Sequence, residues 1–246
     1  MTEVVLSTSG LVAGYERDLP IVRGIDLSVR RGELVAILGP NGAGKSTYVK
    51  AIAGTVATFS GNTVLDGVDI TALPLHQRIR HGLAFVPQTE NIFANLTIAE
   101  NLQLAADILP RDLRQARIAK IHSTFPDLAT RTRQRAGSLS GGQRQMLAVA
   151  RALMVEPYVL VLDEPSAGLS PKVVAGVFSL LRDINKSGVT IVLVEQNVKA
   201  ALAIAHRGMI LVEGIIRHEG TAQELASNPR LGELYLGTAP MESVRL

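Results

Sequence analysis

The apolar residues come in runs whose spacing changes along the chain. Short β-type runs, GLVAGY, IDLSV and ELVAIL, fill the first forty residues between glycine or charged turns, and predict a small β layer. LVAIL then runs into GPNGAGKST, and YVKAIAG after it reads as a helix closed by Gly54, giving strand, glycine loop, helix. Between Gln88 and about Pro157 the β runs disappear. From LTIAENLQLAADIL to QRQMLAVARALM the pattern is helical, with Thr97 and Glu100 spaced as a capping box. Farther on, YVLVLD, TIVLVE and GMILVE each follow a helical stretch, the alternation of a parallel sheet covered on both faces. The reading is an α/β core over residues 1–87 and 157–246, interrupted by a helical subdomain over 88–156.

Composition narrows the function. The 246 residues, 47% hydrophobic and 19% charged, suffice for one large or two fused globular domains. The longest apolar runs, such as VLVL at 159–162, are strand-length and far short of the ~18 residues of a membrane span, so a membrane role must come through a partner. The net charge of +3 is mild, and its one concentration, Arg131, Arg133 and Arg135, reads as a solvated face; no nucleic-acid partner is expected. No cysteine is present, which excludes disulfides, thiolate metal sites and cysteine catalysis. The opening MTEVVLSTSG lacks the basic and apolar stretches of a secretion signal, and the sequons at Asn95 and Asn185 read as chance matches.

Gly39, Pro40, Asn41, Gly42, Ala43, Gly44, Lys45 and Ser46, followed by Thr47, satisfy G-x-x-x-x-G-K-[ST] between a strand and a helix. Glycines there let backbone N–H groups approach phosphate oxygens at a helix N-terminus. Lys45 would reach β and γ phosphates, and the Ser46 hydroxyl would ligate Mg²⁺. YVLVLDEP ends an apolar run in two carboxylates, which a strand sends to opposite faces. Asp163, beside the phosphate loop, would hold Mg²⁺, and Glu164 would act as general base on the attacking water.

SLSGGQRQ, with Ser140, Gly141, Gly142 and Gln143 opening a helix, resembles the signature of ABC-type ATPases. With the phosphate loop, the helical insertion and Asp163-Glu164 in the same order, the resemblance covers about the first 220 residues. It implies a P-loop NTPase fold of the ABC nucleotide-binding type, with an N-terminal antiparallel β layer and an inserted helical subdomain. It also implies that Tyr15 stacks on adenine, that Gln88 senses Mg²⁺ and water, and that Ser166 to Pro171 forms the loop crossing between subunits. One signature and one phosphate loop per chain imply that a second ATPase subunit completes each site. Permease subunits then use its closure, and an extracytoplasmic substrate-binding protein delivers the cargo at the far side of the membrane from this peripheral, cytoplasmic-face subunit.

FVPQTENIFANLTIAENL, DEPSAGLSP, LVEQN and the tail GTAQELASNPRLGELYLG look like the ATP-binding subunits of branched-chain amino-acid importers. Urea or short-amide importers and lipopolysaccharide exporters resemble the chain too. A soluble repair ATPase would need a long coiled-coil insertion and a translation factor a second ATPase domain, and a non-catalytic module would lack Lys45 or Glu164. In VEQN, Gln196 stands where most such ATPases carry a histidine against the γ-phosphate. It offers an amide donor without a titratable charge. Asn197 reads as a helix cap, and Glu195 has no assignment.

Overall fold

The computed structural model describes residues 3–236. Gly237, which ends the tail string above, and the rest of the core segment to residue 246 lie outside the described residues.

The chain opens with β1 (Val4–Gly14), β2 (Val22–Arg30), β3 (Leu34–Leu38) and α1 (Lys45–Ala53), and continues with β4 (Ala57–Leu65), β5 (Val68–Asp69), α2 (Leu75–Arg80) and β6 (Leu83–Val86). Helices α3 (Ile98–Ala106), α4 (Arg111–Thr124), α5 (Pro126–Ala129) and α6 (Gly141–Leu153) follow without an intervening strand. Then come β7 (Val159–Asp163), α7 (Pro171–Lys186), β8 (Thr190–Glu195), α8 (Val198–Leu202), β9 (Arg207–Val212), β10 (Ile215–Thr221), α9 (Ala222–Ser227) and α10 (Leu231–Leu236).

Two sheets form. One is antiparallel in the order β2-β1-β4-β5; the other runs β10-β9-β3-β8-β7-β6, parallel except for the edge strand β10. One expectation is corrected here. ELVAIL is the centre of the parallel sheet, not part of the β layer, and the layer is completed instead by residues 57–69. The reason is burial: all of β3 is buried on both faces, whereas β4 carries Ser60, Gly61 and Asn62 at exposed positions and shows no apolar alternation.

Alternation along the parallel strands builds two cores. Leu34, Ala36, Leu38, Leu160, Leu162, Ile191 and Leu193 pack with α3, α6 and α7; Val35, Ile37, Val159, Val161, Val192 and Val194 pack with α1 and the antiparallel sheet. The first residues past a strand's C-terminal end therefore inherit a known face. That is where the loops carrying the chemistry lie.

Three local signals hold as read. Gly54 closes α1 in the left-handed conformation, Thr97 and Glu100 form the capping box of α3, and Asn197 caps α8 by accepting from Ala200 N–H. Asn95 is exposed, Asn185 is buried and spans Gly32 O and Val189 O, and the three arginines at 131, 133 and 135 are exposed. Among the described residues no helix is long and apolar enough to cross a membrane.

Candidate functional site

The loop between β3 and α1 needs its glycines. A Cβ on Gly39 would meet Leu211 O at 2.1 Å, and Gly44 has φ +99° with Ile21 against it. Helix α1 starts at Lys45 without a side-chain N-cap, leaving its first N–H groups for a ligand of opposite polarity. Lys45 is buried, its Nζ 2.9 Å from Gly39 O and 3.1 Å from Pro40 O, curled over the loop it belongs to. An uncapped helix start with a buried ammonium over it suits a polyphosphate. Gly42 and Asn41 are exposed at the loop's tip, while Ala43 and Thr47 are buried beneath it.

Asp163 shares the face of Val161, toward α1, and accepts from Ser46 Oγ at 2.8 Å. Burial pushes its carboxyl up, aided by the neighbouring Glu164 charge, while the Ser46 bond and Lys50 and Lys45 pull it down. Hydroxyl plus carboxylate is an all-oxygen donor pair of the kind Mg²⁺ takes. Among the described residues no group of three or more His, Cys, Asp or Glu is placed to hold a metal.

The expectation that Glu164 faces away from Asp163 is corrected here, because the strand ends at Asp163 and both carboxylates reach the phosphate loop, one at Ser46 and the other at Lys45. Glu164 is a non-glycine residue with φ +46°, and its N–H donates to Val194 O at 2.9 Å. The turn aims its carboxylate at the phosphate loop: Oε1 lies 3.4 Å from Lys45 Nζ, and Oε2 accepts from Gln88 Nε2 at 3.0 Å. Gln88, exposed just beyond β6, is thus brought to the same carboxylate from a segment 76 positions away. Gln196 is exposed past β8 and donates from Nε2 to Asn41 Oδ1 at 2.9 Å, so it touches the phosphate loop directly.

Two motifs stay outside this cluster. Ser140 caps α6 in a capping box with Gln143, and Gly141 and Gly142 face Leu169 and Val173, where a Cβ would meet those side chains at 2.8 and 2.3 Å. None of the hydrogen bonds among the described residues joins residues 140–143 to the phosphate loop. Tyr15 at the end of β1 is 65% exposed, and the turn after it brings Ile21 against Gly44. Sequence reasoning missed one residue, Glu195, and one contact, that of Asn41. Glu195 is buried and bonded to Ser166, a placement its period with Ile191 and Leu193 could have flagged, and Asn41 is the partner of Gln196, which no local signal carries.

A family profile described as ABC transporter matches residues 22–167, from β2 through the loop after the carboxylate pair. The chain belongs to the ABC transporter family. It is the ATP-binding cassette of such a system, an ATPase whose turnover powers transport, and in this family ATP-binding subunits dimerise and pair with membrane permease subunits. The "Probable branched-chain amino acid transport ATP-binding protein LivF" of Archaeoglobus fulgidus is 44% identical over 95% of this chain and 99% of its own. The branched-chain amino acid transport ATP-binding protein BraG of Pseudomonas aeruginosa is 38% identical, over 92% of this chain and 97% of its own. The lipopolysaccharide export ATP-binding protein LptB of Acidithiobacillus ferridurans is 36% identical, over 95% and 97%. A solved ATP-binding cassette of an ABC transporter, in an ADP conformation, superposes with a TM-score of 0.84 at 27% identity, over 95% of this chain and 99% of that one.

Proposed function

We propose that this ATPase drives a branched-chain amino-acid importer, working as one of two ATPase subunits on the cytoplasmic face of the membrane beneath permeases fed by an extracytoplasmic substrate-binding protein. The observation that carries the chemistry is the convergence of Lys45, Gln88 and Glu164 at one carboxylate. In this reading Lys45 and the backbone N–H groups of the loop from Gly39 to Thr47 hold the phosphates of ATP, Pro40 having none to give and only shaping the loop, with Tyr15 against the adenine. Ser46, Asp163 and Gln88 would hold Mg²⁺, which when bound would neutralise phosphate charge. Glu164 orients a water and takes its proton as the water oxygen bonds to the γ-phosphorus and the bond to the β-phosphate oxygen breaks, releasing ADP and phosphate. Gln196 leaves Asn41 and donates its amide N–H to the γ-phosphate, so the proton acceptor has to be Glu164.

Ser140, Gly141, Gly142 and Gln143 cover the γ-phosphate held by the second subunit. Their separation from the chain's own phosphate loop supports that assignment, because a helix start that cannot reach its own loop completes a site only when a partner closes. Residues 88–156 then move as a unit against the core formed by 1–87 and 157–246.

The amino-acid cargo rests on the relative that is 44% identical over 95% of this chain. The relative at 36%, an export ATPase, keeps lipopolysaccharide export as the second reading. Purifying the chain with its own membrane subunits in liposomes separates them: turnover stimulated by receptor loaded with leucine or valine supports import, and stimulation by lipopolysaccharide alone would overturn it.

A further inference from the structure

We propose that Glu195 is a positioning residue for ATP hydrolysis: its buried carboxylate ties the Gln196 turn to the Ser166 loop, so that both address the phosphate as one unit. The inference rests on the reading of the site given above and adds a residue that it leaves unused.

Glu195 ends β8 on the face of Ile191 and Leu193 and is 1% exposed. Its Oε1 accepts from Ser166 N–H at 3.0 Å. Its Oε2 accepts from Ser166 Oγ at 2.8 Å, Gln196 N–H at 3.1 Å and Asn197 N–H at 3.3 Å. Four donors from two loops 29 positions apart therefore converge on one side chain. Three of them are backbone N–H groups, which cannot turn into acceptors, so an acceptor-only group is required; a glutamine would set its own N–H₂ against some of them. Burial pushes the carboxyl up and the four hydrogen bonds pull it down.

The position gives the bonds their consequence. Ser166 is two residues beyond Glu164, whose own N–H is held by Val194 O, so the end of β8 grips the Glu164 turn at both of its ends. On one side the connection runs through Gln196 to Asn41 of the phosphate loop. On the other it runs along the loop to Leu169, which lies against Gly141 of the signature turn. A cavity of about 690 Å³, lined among others by Glu164, Ser166, Gln196 and Lys199, opens beside the loop, so the carboxylate holds it from one side only. Lys199 on α8 and Glu164 are the charged groups sharing that cavity with Glu195. A carboxylate holding two loops in register fixes the reacting geometry without touching substrate, and small displacements there cost rate rather than binding.

The test uses Glu195→Gln and Ser166→Ala, singly and together, in the full-length chain, with ATP affinity, kcat and melting temperature measured on each. Affinity is expected to stay within about twofold while kcat falls about ten- to a hundredfold in Glu195→Gln and less in Ser166→Ala, where the Ser166 N–H bond survives. The double variant should be no slower than Glu195→Gln, because both changes break the same node. Unchanged kcat in both single variants would overturn the proposal, as would affinity and kcat falling in parallel or a double variant as slow as the product of the two. If Glu195→Gln does not fold, Ser166→Ala decides, since its side chain is only half buried: unchanged kcat overturns the proposal and reduced kcat at constant affinity supports it. A wild-type chain without ATP turnover would instead bring down the reading of the site on which the proposal stands.

Discussion

Ser46 Oγ donates to Asp163 Oδ1 at 2.8 Å, a bond between residues 117 positions apart that joins the first turn of α1 to the end of β7. Both oxygens thereby lie together beside the phosphate loop, and the bond holds Asp163 in one orientation. Asp163→Asn should raise the Mg²⁺ concentration needed for half-maximal turnover by about 10- to 100-fold, the size of effect seen when a residue orienting a metal's ligand is lost. Titrating turnover with Mg²⁺ at saturating ATP checks this; an unchanged midpoint would remove Asp163 from the cation site.

Gln196 carries a donor and no charge. Removing one donor from a developing anion costs on the order of 100-fold in rate, so Gln196→Ala should bind ATP normally and turn over about 100-fold more slowly. Steady-state kinetics beside ATP titration measure both. Full turnover in the variant would leave Gln196 as no more than a strand cap that touches Asn41.

Arg78 bears on stability. Its guanidinium, 2% exposed, reaches Ala51 O, Ile52 O, Thr71 O and Leu73 O, closing the C-terminal end of the helix that starts at Lys45. Burial draws its pKa down to about 10 against the pull of Asp69. Arg78→Met would leave buried carbonyls unpaired and should cost about 2–4 kcal/mol in urea unfolding. Lysine there should recover only part, since an ammonium cannot span the same fork.

The acid limb of stability should include Glu33. Burial raises its carboxyl, but the Arg207 and Arg30 hydrogen bonds and their charges together hold it below its ordinary 4.5. A carboxyl depressed in the folded state stabilises above its unfolded pKa, and that contribution drains as pH falls through the folded value. Glu33→Gln should therefore be less stable than wild type at pH 7, and the gap should close as pH drops below about 4.5. Melting curves from pH 7 to 3 check the sign; a constant gap would contradict it.

Much of this was legible in the residues, for reasons that differ by element. VLVLD and TIVLVE announce strands buried on both faces, but the period of two stops at Asp163, and the positive-φ turn at Glu164 brings both carboxylates to the phosphate loop. The caps at Ser140, Thr97 and Asn197 and the stop at Gly54 are local hydrogen-bond chemistry that sequence spacing encodes. β4 escaped because its polar, exposed residues are held as strand by pairing with β1 rather than by their own pattern. The Glu195–Ser166 and Asn41–Gln196 contacts escaped because they join loops 29 and 155 positions apart, and loop approach is set by the assembled sheet.

The most direct test of the central claim is the association state of Glu164→Gln with and without ATP. With Lys45 and the loop intact but the proton acceptor gone, ATP should be bound and not cleaved, and the closed pair should persist. Size-exclusion chromatography with Mg²⁺ and ATP is expected to give twice the monomer mass, reverting to monomer without nucleotide and absent when Lys45→Ala is added. A Glu164→Gln protein that runs as a monomer throughout, or that hydrolyses ATP at the wild-type rate, would contradict the account.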